Sequence, residues 1–108
     1  MMSIIIRTNG SVKVASLPDL GSMQREVGGF IEVVPLGDCD MIVNEDADAL
    51  DLTVNPTATR FAKERLLRIG RRLLTPDGWI LGNVILVGKP DKNGDETDAP
   101  VGILEELR

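Results

Sequence analysis

Ile4-Ile5-Ile6-Arg7-Thr8-Asn9-Gly10-Ser11-Val12-Lys13-Val14-Ala15 carries the strongest local signal in the chain. Ile4 to Thr8 is β-branched and reads as a strand. Asn9-Gly10 is the preferred pair for a two-residue hairpin turn, whose central positions both need positive φ. Ser11 to Ala15 returns as the second strand. At least part of the sheet is therefore antiparallel.

Working outward, Pro18 opens a helix in which Leu20, Met23 and Val27 recur at helical spacing. Gly28 and Gly29 end it, Gly28 in the left-handed position. Phe30 to Leu36 and Met41 to Asn44 are the next strands, separated by a Gly37-Asp38 turn. Residues 45–54 are acidic and irregular. A long helix follows, capped by Asn55 or Thr57 and running to about Leu74, where Thr75-Pro76-Asp77-Gly78 stops it. Trp79 to Val87 is the last strand, with Gly82 as a bulge. The order ββαββαβ predicts an α+β fold: one layer of about five mixed or antiparallel strands, with two helices packed on one face.

With 108 residues the chain has room for one domain, expected over residues 1–88. Residues 89–108 form a polar C-terminal segment, rich in Asp, Gly and Pro up to Pro100 and read there as a flexible loop or tail. Val101 to Arg108 can dock as a short terminal piece. The last strand is apolar at nearly every position. As a sheet edge it would need cover from the tail or from another chain, which makes a homodimer plausible.

The absences exclude much chemistry. There is no histidine, no tyrosine and one cysteine. Without histidine there is no Ser-His-Asp triad, no Cys-His dyad and no imidazole base. Cys39 lies between Asp38 and Asp40, which disfavour a thiolate. The reading is no enzyme, no catalytic residue, no cofactor and no metal. Asn44, Asp46 and Asp48 alternate like a calcium loop, but Ala49 and Asn55 stand where glycine and a bidentate Glu are required. Gly82 to Lys89-Pro90 fails as a phosphate loop in spacing and in its proline. No window approaches about 18 consecutive apolar residues, so no membrane span is expected. The start of the chain lacks a basic region before its apolar run, and a cytoplasmic setting is expected.

The net charge of −5 is unevenly spread. Residues 38–54 carry six acids and no base, and residues 55–74 carry six bases against Glu64. At about 100° per residue, Ala62, Leu66, Ile69 and Leu73 share one face of the long helix, with Leu67 and Leu74 at its edge. Arg60, Arg65, Arg68, Arg71 and Arg72 fall on the opposite arc. Such a stripe could grip an acidic protein patch. The alternative is internal pairing with the 38–54 segment. Nucleic acid is a weaker candidate, because the overall charge opposes it and only Phe30, Phe61 and Trp79 could stack on bases.

One constellation is familiar. Gly28-Gly29-Phe30-Ile31-Glu32-Val33-Val34 precedes Met41-Ile42-Val43-Asn44-Glu45-Asp46; then come Asn55-Pro56-Thr57-Ala58-Thr59 and Gly82-Asn83-Val84-Ile85-Leu86-Val87-Gly88. The succession resembles a small domain family of unknown function, scattered among bacteriophages, plasmids and integrative elements. The resemblance covers roughly residues 20–90. It implies an accessory protein of a phage or mobile element, acting in the host cytoplasm, and supplies no catalytic residue. Asp46-Ala47 departs from the pattern, where a turn with glycine is commoner.

Among the matching positions, Gly29, Asn55 and Ala58 have plain structural readings: a backbone turn, a helix cap and close helix–sheet packing. Glu32, Asn44 and Glu45 are harder to explain as structure, and could converge with Asn55 and Thr59 on one pocket. The expected function is therefore a non-enzymatic protein that binds a host protein with an acidic surface, through the arginine helix. A small-ligand binder or sponge for a nucleotide signal, with Glu32, Asn44, Glu45, Asn55 and Thr59 as its site, is the alternative. Nucleic-acid binding through the arginine-rich helix is the third.

Overall fold

The computed structural model describes residues 2–17, 19–73 and 75–107. Its elements are β1 (Met2–Ile6), β2 (Val12–Ser16), α1 (Leu20–Val27), β3 (Ile31–Pro35), β4 (Cys39–Asn44), α2 (Pro56–Arg68), β5 (Val84–Gly88) and α3 (Ile103–Glu106). The strands form one sheet in the order β2-β1-β5-β4-β3, and every neighbouring pair is antiparallel. The α+β class and the order ββαββαβ hold, with a short third helix added.

The hairpin forms with a different turn. Gly10 N–H donates to Arg7 O at 2.9 Å, and Arg7 N–H donates to Ser11 O at 3.0 Å. The loop is thus three residues, Thr8 to Gly10, and only Gly10 takes positive φ (88°). A type I turn closed by a left-handed glycine needs one permissive residue where the two-residue turn needs two.

Two corrections follow from the sheet. The last strand is Val84–Gly88, shorter than Trp79 to Val87, and it lies in the middle of the sheet. It is covered by β1 and β4, so the edge-strand reason for a homodimer falls away. The helices also lie on opposite faces rather than one. Met23 and Val27 of α1 pack on Ile5, Ile42, Ile85 and Val87. Ala58, Phe61, Ala62 and Leu66 of α2, with Ile103 of α3, pack on Ile4, Ile6, Met41, Val43, Val84 and Leu86. Because successive strand residues point to opposite faces, three central strands apolar in both phases need cover on both.

Helix ends set the rest. Pro18, expected to open α1, lies outside the described residues; Asp19 caps the helix by accepting from Ser22 N–H at 2.8 Å. Gly28 closes α1 at φ 82°, in the left-handed region as expected. For α2, Asn55 is the cap and Pro56 the first residue. The helix ends at Arg68, short of the expected Leu74, itself outside the described residues. Gly70 takes φ 71°, Gly70 N–H donates to Leu67 O, and Arg71 N–H reaches back to Leu66 O at 2.8 Å. This pair of bonds around a left-handed glycine satisfies the last carbonyls and turns the chain off the helix axis.

The C-terminal segment is tied to the sheet. Gly88 N–H donates to Thr97 O at 2.8 Å and Ala99 N–H to Met2 O at 2.9 Å, filling the gap where β1 and β5 part. Ile103 is 2% exposed and belongs to the core. Under this segment, burial raises the pKa of Asp40, outweighing the effect of Lys89. Glu96 is raised by burial and then by Asp40. A carboxyl raised in the folded state holds its proton more tightly there than in the unfolded chain. Its contribution is present at low pH and is lost as pH rises through the folded value. Asp40→Asn is therefore expected to raise the melting temperature at about pH 7 and to leave it unchanged near pH 3. An equal shift at both values in differential scanning calorimetry would contradict this origin.

Candidate functional site

The early end of α2 divides the expected arginine stripe. Arg60 and Arg68 remain on the solvent side of the helix, with Lys63 and Leu67 between them. Leu67 is 77% exposed. Arg71 and Arg72 lie past Gly70, on the connection to β5.

Arg65 is corrected outright: it is 4% exposed, on the buried stripe of Ala58, Phe61, Ala62 and Leu66. Its Nε donates to both oxygens of Asp38, at 3.0 and 3.1 Å, and its Nη2 pairs with Glu106. Its guanidinium carbon stands 4.5 Å from the centre of the Phe61 ring. Opposed carboxylates hold the guanidinium charged although burial disfavours that charge. Among the described residues, the ion pairing of the stripe with the 38–54 segment thus involves Arg65 and Asp38, while Arg68 lies 3.9 Å from Glu106.

The second feature is a cleft of about 520 Å³ between the β3–β4 end of the sheet and the 71–81 connection. Val34, Val43, Leu66, Leu73 and Ile80 supply its apolar surface. Arg71, Arg72, Thr75 and Trp79 line it from the connection, and Glu32, Asn44 and Glu45 from the sheet. Register explains Glu32, which lies opposite Val43 and so shares the α2-side face; Asn44, opposite Ile31, turns its side chain to Val27 on the α1 side. Trp79 is 44% exposed, with Lys63 Nζ 5.4 Å from its ring centre.

Three of the five residues expected to form one ligand pocket therefore meet at the cleft, and two do not line it. Asn55 is fully buried; its Nδ2 donates to Ile6 O at 3.0 Å and Gly82 O at 2.9 Å, while its Oδ1 accepts from Ala58 N–H at 3.1 Å. Thr59 Oγ1 donates to Asn55 O at 2.8 Å and accepts from Ile80 N–H at 2.9 Å. Both side chains are spent on holding the start of α2 to the sheet. Asn44 is also committed: Nδ2 donates to Val27 O at 3.0 Å and Oδ1 accepts from Asp46 N–H at 2.7 Å. Glu32 and Glu45 are exposed. Thr75 and Trp79 were missed by the sequence reading as site residues. Gly70 was the available signal, since a helix stopping there brings residues 71–73 and 75–77 to the cleft.

Cys39 is fully buried, and burial with the neighbouring Asp38 pushes its thiol up to about 12. It is protonated at neutral pH and unsuited to nucleophilic attack. Among the described residues, no three His, Cys, Asp or Glu side chains are grouped to hold a metal ion. No helix among them is long and apolar enough to cross a membrane.

A family model described as "Domain of unknown function (DUF3846)" matches residues 1–108. No curated protein and no solved structure matches the chain. The chain belongs to the DUF3846 family.

Proposed function

We propose that this DUF3846 protein is a non-enzymatic binding protein that docks an acidic surface of another protein with the outer face of α2. The observation that carries this reading is Leu67, 77% exposed among Arg60, Lys63 and Arg68. An exposed apolar side chain flanked by Arg60, Lys63 and Arg68, with Glu64 the one acid beside it, is suited to a contact with an apolar centre and a charged rim. Arg60 has no carboxylate partner among the described residues, and Arg68 only a distant one, so both charges are available. The chain's own charge of −5 opposes non-specific capture by nucleic acid and leaves the basic face as a local exception.

The setting that goes with this reading is the host cytoplasm, with the protein acting as an accessory factor of a phage or mobile element on a host protein. It rests on the likeness of the Gly28 to Gly88 motifs to domains carried by such elements.

The test is affinity capture from host lysate with wild type, Leu67→Glu and the pair Arg60→Glu/Arg68→Glu. These side chains are exposed, and each variant should keep its melting temperature. The expected partner is retained at low salt, lost at high salt, and lost by both variants. A partner held equally by the variants, or none at any salt, would overturn the reading.

A further inference from the structure

The cleft is separate from the outer face of α2, and its chemistry points to a different kind of ligand. We infer that it is a binding site for a free nucleoside phosphate.

Four observations specify the ligand. The first is size: a cleft of about 520 Å³ lies within the roughly 300–1,000 Å³ typical of small-molecule sites. The second is a pair of cations. Arg71 and Arg72 are exposed beyond the helix end and have no ion-pair partner among the described residues. Guanidinium groups match the geometry of a phosphate, which accepts parallel N–H donors. The third is a flat ring against an apolar wall. Trp79 is nearly half exposed, and Val34, Leu73 and Ile80 lie in the same cleft. A purine or pyrimidine can stack on the indole and bury its other surface on these side chains. The fourth is a set of polar groups open to a ligand. Glu32 and Glu45 offer carboxylate oxygens to an amino group or a ribose hydroxyl. Thr75, which lines the cleft, has a buried hydroxyl with no hydrogen-bond partner among the described residues. Such an orphan costs free energy unless something supplies the missing bond.

No simpler ligand answers all four. Inorganic phosphate would leave Trp79 and the apolar wall unused. A nucleoside would leave the two arginines facing solvent. A hydrocarbon would oppose the carboxylates. A nucleoside phosphate has the anion, the ring and the donors together. The local mixture of signs also fits a discrete molecule better than a polyanion, because Glu32, Glu45, Asp48 and Asp77 share the cleft and would repel a phosphate chain.

The chain carries its own reporter, since Trp79 is its single tryptophan. The experiment titrates the protein with AMP, GMP, CMP and UMP, with the matching nucleosides, and with a short single-stranded oligonucleotide. Trp79 emission is followed, and equilibrium dialysis is run in parallel. At least one monophosphate is expected to quench the emission saturably. Its nucleoside should bind at least about tenfold more weakly, as should the Arg71→Ala/Arg72→Ala variant. Trp79→Leu, read by dialysis, should lose binding by a similar factor. Arg60→Ala/Arg68→Ala, on the other surface, should leave it unchanged. If the double variant in the cleft has a lowered melting temperature, Arg72→Gln alone gives the same comparison. The inference is overturned if no monophosphate saturates the protein, if nucleoside and nucleotide bind alike, or if the oligonucleotide binds more tightly than any monophosphate.

Discussion

Asn55→Ala is expected to destabilise the protein by about 3–4 kcal/mol. The side chain is fully buried and makes three bonds to three segments: the first turn of α2, the end of β1 and the bend at Gly82. Loss of the cap is worth about 1 kcal/mol. The carbonyls of Ile6 and Gly82 then lose a donor in a place water does not reach, at roughly 1–3 kcal/mol for each group left unsatisfied. Asn55→Ser keeps the oxygen and is expected to recover about 1 kcal/mol. Asn55→Asp keeps the cap too, but turns a buried carboxylate toward two carbonyl oxygens, and is expected to be no better than alanine. Urea denaturation with an unchanged slope measures all three. A loss below about 1 kcal/mol for alanine would show that the network is not a structural joint, and would return Asn55 to the candidate ligand residues. Against a total stability of about 5–15 kcal/mol, the expected loss gives Asn55 a structural role that needs no ligand.

Arg65→Ala is expected to cost about 2–3 kcal/mol. Removing one partner from a buried pair usually costs more, because a charge is left dry. Here the partners can rehydrate: the side chains of Asp38 and Glu106 are 50% and 39% exposed. What is lost is the tie between α2, the β3–β4 turn and α3, together with the guanidinium over Phe61. Arg65→Met keeps the aliphatic stem on the core and should restore about half of the loss. Arg65→Lys cannot span two carboxylates with one point charge and should fall between the two. Because Asp38 and Glu106 sit on different elements, the cycle of Arg65→Met with Asp38→Asn should show coupling of at least about 0.5 kcal/mol. Strict additivity would mean that the bridge contributes nothing to stability.

The arginines illustrate how far sequence reading reached. All five were visible as one charged block, and helical periodicity placed them on one arc. That placement assumed a helix through Gly70, and it counted Ile69 and Leu73 in the apolar stripe. The real stripe runs through Phe61, Ala62, Arg65 and Leu66, because the helix is shorter and its buried face is rotated. Ile69 is 43% exposed in consequence. Arg65 hides in such a stripe because its stem is apolar and its head finds two carboxylates, 27 and 41 residues away in the chain. The same shortening frees Arg71 and Arg72 to line the cleft. Of the ligand set, Glu32, Asn44 and Glu45 all border the cleft, although register gives only Glu32 the α2-side face and the Asn44 side chain turns to Val27. Asn55 and Thr59 were grouped with them on pattern alone, and their hydrogen bonds assign them to the joint beneath α2.

Features that depend on near neighbours can be read from residue order alone. The hairpin at Asn9-Gly10, the left-handed end of α1 at Gly28, the Asn55 cap with Pro56 behind it and the element order all follow from backbone sterics and bonds spanning a few residues. The sequence also contained, unread, the two apolar phases of the central strands that require a helix on each face. Which strand lies in the middle, which arginine is buried and which residues face one another across the cleft are set by long-range packing. Those outcomes depend on pairings between distant segments, as between β1 and β5 or Arg65 and Glu106. Their free energies appear only when the whole sheet and both its layers are in place, and no local spacing of residues encodes them.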